Sequence, residues 1–147
     1  MAFMLPELDR KATQKAVEEI FETYRHYKYW AGKDREASIT ASTEIRYHGP
    51  TNQTSDQTGD IAAHNVDQQR MREKYCNRIE RAVKRLPKNE RALIQARYMD
   101  EESDYTNDYN VYSDILHISV PTYRKWRWKA FYRLALSLDL DITKGEK

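Results

Sequence analysis

The stretch SVPTYRKWRWKAFYRLA, Ser119 to Ala135, leaves a chain few ways to fold around it. It holds five lysines and arginines, five aromatic residues and no acid. Set on a helix at about 100° per residue, it separates into two faces. Tyr123, Trp126, Ala130, Leu134 and Leu138 fall on one face, with Phe131 at its margin. Lys125, Trp128, Lys129 and Tyr132 face the other way, and Arg124 lies on the flank. Ser119 is placed to cap this helix, and Pro121 sits in its first turn, where a missing N–H does no harm. The segment 119–138 therefore reads as a helix with one face for a core and a basic face left over.

The rest of the chain supports an all-α fold. Four glycines and four prolines in 147 residues argue against a succession of hairpins. Glu, Lys, Arg, Ala and Leu are abundant and favour helix. At 39% hydrophobic and 33% charged, the core is lean. One domain with a helical appendage is expected, with part of the chain extended or disordered. Cys76 is alone, which excludes an internal disulfide and argues against a secreted, stapled fold. No segment approaches the roughly 18 apolar residues of a membrane helix, and the N-terminus lacks a basic-then-apolar signal pattern. These features predict a cytoplasmic protein with no membrane partner.

Charge is distributed unevenly. Residues 1–70 carry nine basic and eleven acidic side chains, whereas residues 71–147 carry sixteen and twelve. Five basic residues and no acid lie between Leu116 and Ala135. Positive charge gathered on one element is the footprint of a polyanion-binding surface.

Along the chain, Asp9 caps a first helix to about Trp30, with Val17, Ile20, Phe21, Tyr24 and Tyr27 at helical spacing and a stop at Ala31-Gly32-Lys33. The segment Glu36 to Thr43 is ambiguous between helix and loop. Gly49-Pro50, Gly59 and a run of Thr, Asn, Gln and Ser mark 44–67 as a polar linker. Met71, Tyr75, Ile79, Ala82, Val83 and Leu86 predict a second helix over 68–86. Cys76 on that helix reads as a small buried hydrophobe. Pro87 interrupts it, and a third helix carries Leu93, Ile94, Arg97 and Tyr98 to about Met99. An acidic, Tyr-containing connection, 100–110, leads to a short helix capped by Ser113 and a tight break at His117-Ile118-Ser119. The expected organisation is an N-terminal helical segment 1–43, the linker 44–67, a domain 68–142 and a tail 143–147.

A short helix, a tight break and a basic helix make a helix–turn–helix, in which the second helix enters the major groove with its N-terminal residues at base edges. The segments RLPKNERALIQARYM and VYSDILHISVPTYRKWRWKAFYRLA resemble the helix–turn–helix of the fourth region of bacterial sigma factors. Leu86-Pro87, Glu90-Arg91, Arg97-Tyr98, Ser119, Thr122, Ala130 and Leu134 take the places of that pattern. The whole chain also resembles the ArpU family of phage transcriptional regulators, itself similar to the RinA-type activators. Tyr24, Arg25 and Tyr27, the Ile-Ser-Val-x-Thr-Tyr-Arg-Lys turn, and Lys129-Ala130-Phe131 carry that likeness. The resemblance implies a regulator of late phage or prophage genes, an activator at promoter or operator DNA in a bacterial host cell. Host RNA polymerase and a second copy of the chain are its implied further partners. Most of the length of a sigma factor is missing, which argues against a self-sufficient one.

Position assigns the candidate DNA contacts. Ser113 and Ser119 would cap the two helices and offer hydroxyls to phosphates. Thr122, Arg124 and Lys125 would read bases or flank them, and Arg127, Lys129 and Arg133 would hold backbone. Trp128 would stack on DNA, pack on the domain, or meet another protein.

Other functions find little support. His26, His48, His64 and His117 are scattered, with no metal-ligand spacing and no cofactor motif. Asp104, Thr106 and Asp108 suggest a calcium loop, but Tyr109 stands where it needs glycine and Ile115 where it needs Glu. No Gly-rich phosphate loop exists, so an enzyme is not expected. The alternatives are a phage packaging protein resembling a small terminase subunit, and a helical scaffold whose Tyr-rich first helix binds a partner.

Overall fold

The computed structural model describes residues 7–43 and 55–140, with side chains for 7–32 and 64–140. The fold is all-α: among the described residues every regular element is a helix. Helix α1 spans Arg10–Thr43. Asp9 caps it as its position predicts, accepting from the N–H of Ala12 at 3.1 Å. Val17, Phe21 and Tyr24 are buried. The helix does not stop at Gly32 but runs on through 36–43. A lone glycine costs a helix only about 1 kcal/mol, too little to end one that is hydrogen-bonded on both sides.

Helix α2 spans Ser55–Lys84. It starts well before the expected Gln68, so 55–67 of the expected linker is helical, while 44–54 lies outside the described residues. That stretch has no apolar stripe in sequence, so periodicity gives no signal for a helix there. Further on, Cys76, Ile79, Ala82, Val83 and Leu86 are buried, whereas Met71 is exposed. Pro87 (φ −55°, ψ 153°) holds the chain extended between α2 and α3, Lys88–Ile94. Helix α3 continues as a π-helical turn, Gln95–Met99, closed by the Asp100 N–H on the Gln95 carbonyl at 2.9 Å. A 3₁₀ turn, Ser103–Tyr105, and a second π-helix, Asn110–Ile115, precede α4, Val120–Ser137. The expected tail 143–147 lies outside the described residues.

The chain divides into two compact units, cut at points other than the expected boundaries. One comprises residues 1–25 and 79–147, so the start of α1 belongs with the C-terminal elements. Its core holds Val17 and Phe21 of α1, Ile79 and Val83 of α2, Leu93 and Ile94 of α3, and Tyr123, Phe131 and Leu134 of α4. Tyr98 stacks on Phe21 at 5.4 Å between centroids and meets Phe131 at 5.6 Å. Fully burying each such side chain contributes roughly 1.5–3 kcal/mol. The other unit, residues 26–78, brings Tyr27 against Trp30 and Tyr75, with the Arg72 guanidinium over the Trp30 ring. Among the described residues no helix is long and apolar enough to cross a membrane.

Candidate nucleic-acid interface

The turn before α4 is set by backbone geometry. Asn107 begins the preceding helix by accepting the Asn110 N–H at 2.8 Å. Ser113, expected as that cap, lies inside the π-helix instead, because the helix begins earlier than its apolar residues suggest. At its end the Leu116 N–H reaches the Val111 carbonyl and the Ile118 N–H reaches that of Tyr112, both at 2.8 Å. Between them His117 adopts φ 53°, the left-handed conformation that reverses the chain. Ser119 then caps α4: its Oγ accepts the Thr122 N–H at 3.3 Å and its hydroxyl donates to Thr122 Oγ1 at 2.9 Å. The expected break at 117–119 and its Ser119 cap are therefore present.

The two faces of α4 separate largely as its spacing predicts, although Trp126, expected in the core, and Trp128 and Tyr132, expected outside, are each half-buried. Tyr123, Ala130, Phe131, Leu134, Ala135 and Leu138 are buried. Arg124, Lys125, Lys129 and Arg133 are exposed, Ser119 is exposed, and Thr122 is half-buried. No acidic side chain lies on this helix.

Arg127 does not join that face. It points inward to Asp108, with Nη1 at 3.0 Å from Oδ2. The spacing explains why: Arg127 follows buried Tyr123 by one turn, so both look toward the domain. Asp108 also accepts from Arg97 Nε at 2.9 Å and from the Tyr123 hydroxyl at 2.7 Å. Burial by itself would raise the Asp108 carboxyl, but the bonds from Tyr123 and Arg97 and the charge of Arg127 outweigh it and hold it below its ordinary value. Burial, then the bond to Asp108, pushes the Tyr123 phenol well up. The Tyr98 phenol is raised chiefly by burial as well. Burial works against the charge on Arg97 and Arg127, yet the surrounding acceptors raise both above the ordinary value.

Trp128 is engaged within the unit, its ring under the Arg10 guanidinium at 4.8 Å and edge-on to Tyr132 at 6.1 Å. Arg133 Nη1 donates to Glu90 Oε2 at 2.7 Å, although half of the Arg133 side chain remains exposed. The structure thus brings Ser119, Thr122, Arg124, Lys125, Lys129 and Arg133 to one helix, and keeps Ser113 and Arg127 off its outer face.

Residue-by-residue spacing does not reveal the group that holds this arrangement. Asp108, Arg97 and Glu90 lie in three separate stretches of the chain; Asp108 joins Arg97 to Arg127 of α4, and Glu90 pairs with Arg133 of α4. The Asn107 cap, by contrast, has a legible signature, an Asn at the end of an acidic loop just before helical residues.

Over 142 residues the chain is 26% identical to an uncharacterized phage-related protein of Listeria innocua serovar 6a, covering 97% of both chains. No protein-family model matches the chain. No solved structure matches it either.

Proposed function

We propose that this chain is a sequence-specific DNA-binding regulator of phage or prophage late-gene transcription, acting as an activator through α4 in the major groove. The observation that carries the reading is the outer face of α4. Arg124, Lys125 and Lys129 are exposed on a helix without an acid, behind a Ser119-capped N-terminus and a left-handed turn at His117. A helix presented this way brings cations to phosphates and polar side chains to base edges. The positive end of its dipole adds to the attraction for an anion. Thr122, Arg124 and Lys125 are the base-proximal residues of this reading; Lys129 and Arg133 hold backbone.

Similarity along its length to a phage-related protein supports the phage setting. An activator in that setting works at promoter DNA, and host RNA polymerase is its natural neighbour there. The test is a nuclease footprint of the full chain on the phage or prophage genome that encodes it. A protected site upstream of a transcription unit is the expected result. Uniform, sequence-independent protection would refute the regulatory reading.

A further inference from the structure

We infer that the DNA-binding surface extends beyond α4 onto a basic ledge at the α2–α3 corner, where Lys84, Arg85 and Lys88 contact the phosphate backbone of duplex DNA. The inference rests on the reading of α4 as a DNA-binding helix and adds a second element to it.

Lys125, Lys129 and Arg133 follow one another at four-residue intervals, so they form a stripe of about 12 Å along α4. The stripe ends at α3, because Arg133 Nη1 bonds Glu90 Oε2 in the first turn of that helix. Lys88 opens the same turn, and α3 packs against α4 within the same compact unit. Arg91 in turn donates to the Lys84 carbonyl at 3.4 Å, tying the end of α2 to α3. Lys84, Arg85 and Lys88 are all exposed, while Ala82 and Val83 just before them and Leu86 between them are buried. The buried residues fix the corner, and its cations turn outward.

The corner carries no competing negative charge. Between Arg81 and Arg91 the only acid is Glu90, which is buried and already bonded to Arg133. The α4 stripe and the corner therefore lie on elements that pack together, α4 on α3 and the end of α2 tied to α3, without an exposed acid on either segment. A polyanion of regular charge spacing, longer than one helix, fits such a surface better than a compact anion does. Contacts here would be to phosphates alone, so they add affinity and orientation without sequence preference.

The test compares the full-length parent with the Lys84→Ala/Arg85→Ala/Lys88→Ala chain, measuring affinity for a short random-sequence duplex across a salt series. All three residues are exposed, so the thermal melt of the variant should match that of the parent. The logarithm of affinity should fall less steeply with the logarithm of salt, by about 0.9 for each phosphate that the variant no longer neutralises. A Lys84→Arg/Lys88→Arg chain should keep the parental slope. A parental slope in the triple Ala variant, alongside Arg124→Ala/Lys125→Ala binding the footprinted duplex no better than a random one, overturns the ledge and leaves the α4 reading standing. Failure of the parent itself to bind duplex overturns both.

Discussion

Three side chains from two segments converge on the carboxylate of Asp108: Arg97 from the π-helical turn Gln95–Met99, and Tyr123 and Arg127 from α4. Removing that carboxylate leaves two half-buried guanidiniums and a buried phenol without their acceptor. Asp108→Ala should therefore cost about 2 kcal/mol or more, read as a lower denaturant midpoint. Arg124→Ala, exposed on the outer face, should stay within about 0.5 kcal/mol of the parent. The same cluster gives stability a pH dependence. Asp108 has a folded value below its unfolded one, so its contribution is present above the ordinary carboxylate range. It is lost as pH falls through the depressed folded value. Tyr98 and Tyr123 are raised, so their contribution is complete below about pH 10 and is lost as pH rises above it. A thermal melt followed across pH should show both declines, and Asp108→Ala should blunt the acid one.

At the scale of elements, α4 was almost wholly legible from sequence. Its cap, its proline and its two faces are local facts, and local facts survive folding. Arg127 was the exception, because its role depends on an acid nineteen positions away in the chain. The Asp108 cluster was invisible for the same reason: spacing rules describe neighbours on one element, not partners brought together by packing. The lengths of α1 and α2 were missed differently. A helix without an apolar stripe carries no periodic signal, and Gly32 looks like a terminator when it is only a weak point. A Cβ added at Gly32 would meet nothing within 4 Å. Gly32→Ala should thus raise stability by roughly 0.5–1 kcal/mol, visible as a higher melting temperature. Ser119→Ala should do the reverse, costing about 1 kcal/mol through removal of the cap, and a urea titration of the variant would register it.

For the molecule as a whole, the proposed function divides α4 into an inner side that holds the fold and an outer side that meets DNA, with Arg133 serving both. Tyr123, Ala130, Phe131 and Leu134 hold the helix to its unit, and Asp108 and Glu90 fix it through Arg127 and Arg133. Arg124, Lys125 and Lys129 are exposed. The two roles should therefore be separable by substitution. The direct measurement is the affinity of Arg124→Ala/Lys125→Ala for the footprinted duplex, taken with its melting temperature. An unchanged melt with binding reduced to the level of a random duplex is the predicted result. Binding equal to that of the parent would contradict the assignment of α4 as the helix that reads DNA.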